Sequence, residues 1–571
     1  MNPAVHNDFI GVFDPTGAPD LPLGRSAERW RSACAVFGGA PVWQDSTGEI
    51  TVSGEVVLDN APELRQALGM PCDEDGRLLA EAFRRFGNRV GCAARGMFAV
   101  AIHDACSNTV HLLRDGVGAR TMYWSEHQGT FWFATQLAKL ATTPLRREIS
   151  AAAVRDYLVF SYVPGVQTMW RDVQELRPGT LLSLPAKVSE QYWEPREDRR
   201  GESLSIEEHA AGIRDILEES VARAMPSGGE PVGVFLSGGL DSSLITALVA
   251  RHATGPVHTY SVHFGPEYAN ELEFSDAVAK HCGTQHHVLE VNPRDVIANL
   301  AETMAALDDP IGDPLTVPNL LLGRTAAEHC QVILNGEGGD PCFGGPKNHA
   351  MFLHRLYGSE SDEEAYLWSY RKCSSQLDHL LIKQPFHSGK ATTEAPVALL
   401  QPFFSQDGMT DFLNQLMHIN VRLKGADHIL TKVNNLTRAN GLRGHSPLFD
   451  RRLVDASFAV PTRMKLSGIE EKLVLKRAVA DLLPDEVVNR PKSGMMVPVN
   501  GWVRRELKPY VSSTLFGRDG RFGKKRSARA WRYVEPSVVK TWLDASRNEG
   551  QGARLWMILS LELWLQAHVQ A

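Results

Sequence analysis

Val232-Gly-Val-Phe-Leu-Ser-Gly-Gly-Leu-Asp-Ser-Ser243 decides how the larger part of this chain folds. Val232 to Leu236 is a short continuous apolar run, as in a strand buried on both faces. A Gly/Ser turn follows, and Leu244 to His252 then carries a helical pattern. The turn has a chemistry of its own. Glycines let the backbone approach a phosphate closely, and N–H groups and serine hydroxyls gathered at a helix N-terminus favour an anion. Asp241 would repel a polyphosphate, so its natural task is to hold Mg²⁺ against one. A plain Gly-Ser turn with a capping side chain is common in α/β proteins. Here, however, the whole string Ser-Gly-Gly-x-Asp-Ser-Ser stands in the strand–turn–helix setting that phosphate binding requires. No Gly-Lys-Ser/Thr follows and G-x-G-x-x-G is absent, which excludes a Walker loop and a dinucleotide fingerprint.

Strand, loop and helix recur beyond this point. Thr259 to Phe264, His287 to Val291 and Gln331 to Leu334 read as strands, with helices near 271–281 and from Leu320 to His329. That order predicts a parallel sheet covered on both faces; from about residue 350 onward the chain reads mainly helical. Toward the N-terminus the character changes. The runs 49–53, 98–102, 109–113 and 130–134 alternate and are punctuated by turn residues, which predicts stacked antiparallel sheets, interrupted by helices near 61–68 and 77–87. A chain of 571 residues exceeds one hydrophobic core. The charge-dense stretch from Glu194 to Ser203 reads as an interdomain linker, giving expected domains of 1–198 and 199–571.

The net charge of −7 gives no electrostatic reason to expect nucleic acid or an acidic membrane surface. No run of about 18 apolar residues is present, so no membrane span is expected. Eight scattered cysteines without a C-x-x-C pair suit a reducing compartment, and Met1 to Asp20 lacks the pattern of a signal peptide. The expected location is cytoplasmic. His286-His287 invites a metal reading, but neighbours on a strand point to opposite faces, so both are read as structural.

Asn335-Gly336-Glu337-Gly338-Gly339-Asp340 follows the predicted strand 331–334, at the end where open parallel sheets place ligands. Asp340 is there a second candidate for Mg²⁺, and Glu337 could hold or deprotonate an attacking amine. The first loop resembles the pyrophosphatase loop of the N-type ATP pyrophosphatases, which split ATP between the α and β phosphates. The second resembles the Gly-Glu-Gly-x-Asp motif of asparagine synthetases. Arg490-Pro-Lys492-Ser-Gly494 looks like that family's late Arg-x-Lys-x-Gly element, and Asp308-Asp-Pro-Ile-Gly-Asp-Pro314 like its acidic Asp-Pro segment, to which no catalytic role is given. Phe9 to Asp14, Arg95 to Val100 and Leu113-Arg-Asp115 are similar to the family's glutaminase domain.

The resemblance implies an α/β protein with two parts: an N-terminal glutaminase-like αββα sandwich, and a C-terminal parallel-sheet ATP-pyrophosphatase domain with a helical extension. It implies that Leu236, Ser237, Gly238, Gly239, Asp241, Ser242, Val262 and Gly336 bind ATP, with Val262 against adenine. Asp241 and Asp340 would hold Mg²⁺. Glu337 would serve the amine, and Lys492 would stabilise the charge growing on the phosphates. Lys472 is family-like too, but is placed on a helix as a lesser candidate, and Asn270-Glu271, resembling an Asp-Glu pair, is left out of the site.

One part of the family pattern is missing. Active glutaminases of this type use an N-terminal cysteine; the corresponding position falls near Asn7, behind an extension, and the first cysteine is Cys34. The Asn-Gly-Glu stretch appears as Ser53-Gly54-Glu55. The glutaminase fold is therefore expected to survive as a scaffold, with nitrogen coming from elsewhere. An internal amine is the leading candidate, as in β-lactam-type synthetases and lasso peptide macrolactam cyclases. Glutamate rather than tyrosine at 337 favours the cyclase, whose partners would be a precursor or core peptide, a leader peptidase and a leader-recognition protein. Alternatives are a small-molecule amide or β-lactam synthetase, using free ammonia or an internal amine, and a non-catalytic scaffold.

Overall fold

The computed structural model describes residues 8–17, 20, 28–358, 360–369, 373, 376–382, 391–405, 408–468, 470–490, 495–517, 528–545 and 551–569. Five strands form the parallel sheet: β1 (Val232–Phe235), β2 (Val257–His263), β3 (Gln285–Glu290), β4 (Val332–Asn335) and β5 (Arg443–His445). Their order is β3-β2-β1-β4-β5, every pair parallel. The chain steps one way from β1 to β3 and the other way from β1 to β4. The order therefore reverses between β1 and β4, which makes the carboxyl ends of those two strands the natural crevice for a ligand. Val232, Val234, Ile333 and Leu334 are buried on both faces of the sheet, against helices α1 (Leu240–His252), α2 (Leu272–Cys282) and α3 (Thr316–Ala327). Strand β5 was not predicted. It is three residues long and contains Gly444, where a Cβ would come within 2.9 Å of Thr437 Oγ1, so the close pass of a helix rather than a β-type sequence explains it.

The N-terminal part holds two six-stranded antiparallel sheets. Strand alternation sorts the side chains. Phe9 and Phe13 face inward with Phe37 and Phe133, onto Ala99, Ala101 and Leu112 of the facing sheet. Ile10 and Val12 face outward, into the core that also holds helix Ala151–Phe160. On the far side, helices Ala61–Leu68 and Asp75–Phe86 cover Val52, Val100 and Ile102. Helix, sheet, sheet and helix stack in the expected αββα order.

The two parts are pinned together by buried polar groups. Tyr157 Oη donates to the Met557 carbonyl at 2.8 Å, and Arg177 meets Asp427 at 2.8 Å. The acidic Asp-Pro segment contributes directly: Asp308 accepts from Leu137 N and Asp309 from Met169 N, each at 2.8 Å. The charge-dense stretch 194–203 is not a loose tether. Glu197 accepts from the N–H groups of Thr410 and Asp411, and a Cβ at Gly201 would strike the Ala459 carbonyl at 2.1 Å. No helix among the described residues is long and apolar enough to cross a membrane.

Candidate active site

A cavity of about 700 Å³ opens at the carboxyl ends of β1 and β4. Serines shape its first loop: Ser237 N donates to Ser242 Oγ at 3.1 Å, the two hydroxyls lie 3.0 Å apart, and Gly239 N donates to Ser237 Oγ at 3.3 Å. The loop leads straight into α1, whose N-terminus therefore points at the cavity. The second loop packs onto the first through its glycines. A Cβ at Gly336 would lie 2.4 Å from Ser242 N, and one at Gly339 would lie 2.2 Å from Asp241 Cγ. Two sequence patches about a hundred residues apart thus form one floor.

Leu236, Ser237, Gly239, Asp241, Ser242, Val262, Gly336, Glu337 and Asp340, all predicted from sequence, line this one cavity. Gly238 serves it differently. At φ +78° it makes the turn, and a Cβ there would meet Ser275 N at 2.8 Å, so this glycine lets α2 close beneath the loop. Lys492 lies outside the described residues.

The charge at the centre comes from a residue the sequence reading ranked low. Lys472 does not sit on a helix: at φ 56° it occupies a left-handed turn just before helix Leu473–Val479. Its side chain is 3% exposed, and its ammonium touches both predicted metal ligands, Asp241 Oδ2 and Asp340 Oδ1, at 2.5 Å each. Burial opposes the charge, but Asp241 and then Asp340 outweigh it and hold the ammonium above its ordinary pKa. Asp241 Oδ1 is buried and accepts no hydrogen bond among the described residues. A hard cation satisfies such an oxygen, so the two carboxylates fit Mg²⁺ beside Lys472.

A second charged group stands near Glu337. Lys432 Nζ, buried in helix Thr431–Ala439, meets Asp313 at 2.8 Å, with His428 3.6 Å from the same carboxylate. Burial works against the Lys432 charge, yet Asp313 and next Glu337 lift its pKa; burial pushes His428 down to about 4. Lys432 has no local sequence signal, because on a regular helix it reads as a solvated lysine. Its helix follows directly on the π-helical segment Asn420–Leu430, and the fold turns Lys432 inward onto Asp313. Glu271, set aside in the sequence reading, also borders the cavity, paired with Arg490.

Residues 212–566 match the family described as asparagine synthase, and residues 38–193 match the glutamine amidotransferase domain. The chain belongs to the asparagine synthase family. Similar proteins include a putative glutamine-hydrolyzing asparagine synthetase of Mycobacterium tuberculosis, 28% identical over 90% of this chain and 84% of that protein. Glutamine-hydrolyzing asparagine synthetase 1 of Bacillus subtilis is 23% identical over 93% and 88%. Amidase chry2 of Gibberella zeae is 21% identical over 86% and 81%. As a member of the asparagine synthase family, the chain is an ATP-dependent amide ligase.

Proposed function

We propose that this ligase is a lasso-type macrolactam cyclase: it activates an Asp or Glu side chain of a core peptide as an acyl-adenylate and joins it to that peptide's N-terminal amine. The observation that carries the reading is a synthetase cavity that gathers the phosphate loop, both aspartates and Glu337, beside a glutaminase-like domain with no cysteine at the family's nucleophile position. No cysteine precedes Cys34. Cys34 itself is buried against Asn108, and Glu55 of the altered Ser53-Gly54-Glu55 stretch is closed onto Arg120 at 3.0 Å. On this reading the amine arrives with the substrate.

In the first step a peptide carboxylate oxygen attacks the α-phosphorus, the bond to the β-phosphate oxygen breaks, and pyrophosphate leaves. The loop 237–243 receives the phosphates through its N–H groups, its serine hydroxyls and the N-terminus of α1. Asp241 and Asp340 would hold Mg²⁺, which when bound would neutralise charge at the phosphates. Lys472 keeps the two carboxylates in place and adds a fixed positive charge. In the second step the amine nitrogen attacks the acyl carbon, AMP leaves with the electrons of the C–O bond, and Glu337 takes the amine proton. Lys432, fixed by Asp313, places a positive charge beside Glu337. Orientation is the larger contribution, since amine and activated acyl group meet only in a folded peptide. A leader peptidase and a leader-recognition protein would supply that peptide.

A second reading, a small carboxylic acid joined to free ammonia, is favoured by the asparagine synthetases among the similar proteins. The test is ATP-dependent AMP release with three substrates: a linear core peptide, aspartate with ammonia, and a carboxyethyl-arginine-type acid. Wild type is run beside Asp241→Ala, and products are weighed by mass spectrometry. Loss of one water from the peptide supports the cyclase. Turnover of a small acid alone refutes it and leaves the ligase chemistry standing.

A further inference from the structure

Three histidines from three separate elements meet on one face of the parallel sheet, toward its β3 edge. His258 of β2 and His287 of β3 lie on the same face, because His287 registers opposite Tyr260, two residues on from His258. His329, just past the end of α3, closes the group. The ring centroids of His258 and His287 lie 5.0 and 4.5 Å from that of His329. One nitrogen from each ring falls within 4.8 Å of the others. His286, on the opposite face, bonds Thr259 instead at 2.9 Å. The strand rule that separates His286 from His287 therefore holds, and it delivers His287 to two partners distant in sequence.

From this geometry we infer that His258, His287 and His329 form a binding site for one divalent transition-metal ion of the zinc class, remote from the phosphate loops. At His329 the proton already sits where a metal leaves it. His329 Nδ1 lies 3.1 Å from the Thr325 carbonyl, which can only accept, so Nδ1 carries the hydrogen and Nε2 presents a lone pair. His258 Nδ1 and His287 Nε2 face each other at 3.0 Å, sharing one hydrogen. On binding, that hydrogen moves to the other nitrogen of its own ring, and no proton is lost. Burial, followed by the neighbouring His329, lowers the pKa of both His258 and His287. Three imidazoles suit Zn²⁺, Co²⁺, Ni²⁺ or Cu²⁺ rather than Mg²⁺, and they leave a fourth position for water. The ion would tie β2, the outer strand β3 and the end of α3 together. Tyr260 touches both this group and the ATP cavity, its ring 5.0 Å from that of His287.

The test uses the whole protein stripped by a chelator and titrated with Co²⁺, then with Zn²⁺. The expected result is one equivalent of Co²⁺ with the intense visible bands of a tetrahedral ion, displaced by Zn²⁺, and a melting temperature that rises with metal. His329→Gln and His287→Ala each weaken binding on the order of 100-fold and abolish the metal-dependent rise, while ATP-dependent AMP release persists. Metal-free melts of the variants establish that they fold. A variant that does not fold is replaced by competition of Zn²⁺ against a chromophoric chelator on wild type, where absence of one tight equivalent overturns the site. Equal binding by wild type and variants also overturns it and leaves the three rings as aromatic packing.

Discussion

Replacing Lys472 by methionine keeps the length of the side chain and removes the charge between Asp241 and Asp340. Removing one partner of a buried ion pair costs about 3–5 kcal/mol when the charge left behind stays dry. Asp241 is 21% exposed and Asp340 is 40% exposed, so water re-solvates Asp340 well and Asp241 poorly. The Asp340 half is then worth a surface value of about 1 kcal/mol or less, and the whole substitution about 2–4 kcal/mol. For a unit of this size that lowers the melting temperature by about 3–5 °C. Without the Lys472 charge beside them, the two carboxylates are a stronger site for a divalent ion, so millimolar Mg²⁺ recovers more of the loss in the variant than it adds to wild type. Amide formation falls on the order of 10²–10³-fold, because the fixed positive charge at the phosphates is gone. Differential scanning calorimetry with and without Mg²⁺, beside an AMP-release assay, measures both. A variant that melts like wild type, gains nothing extra from Mg²⁺ and keeps its activity refutes the Asp241–Lys472–Asp340 arrangement.

Gly339→Ala places a methyl group 2.2 Å from Asp241 Cγ; the expected cost is about 1–3 kcal/mol, with ATP binding lost at least tenfold, and unchanged ATP affinity by calorimetric titration counts against the packed-loop floor. Glu337→Gln should slow amide formation on the order of 10²-fold while ATP–pyrophosphate exchange continues; loss of both together would place Glu337 in the adenylation step instead. Lys465, donating to Asn414 Oδ1 at 2.7 Å and the Ser457 carbonyl at 2.9 Å, is pushed down by burial to about 7. Between that value and the ordinary 10.5 the unfolded chain holds a proton the folded chain has released, so stability rises with pH across this window. Wild type should gain about 2 kcal/mol on Lys465→Met between pH 7 and 9, read by denaturant unfolding at the two values; a constant difference refutes the buried neutral amine.

Local sequence was enough for four of the five parallel strands, all but β5, and for the phosphate loop. The apolar run 232–236 and the string 237–243 carry their instructions within a dozen residues, because strand burial, glycine backbone freedom and helix-terminus charge are all local properties. The same holds for Glu337 and Asp340, which follow directly from a strand end. Lys472 was different. Its neighbours Glu470 to Leu475 read as a helix, and only the contact with Asp241, 231 residues earlier, explains why the backbone turns left-handed there instead. Lys432 and Asp313, 119 residues apart, are likewise meaningful only as a pair. His258, His287 and His329 are each unremarkable in sequence and become a cluster because parallel register and a helix end bring them to one face. The sequence by itself determined what each short segment prefers and which segments can touch a phosphate. Tertiary structure alone decided which buried charges and imidazoles find partners, since burial makes an unpartnered charge costly and the partner can lie anywhere along the chain.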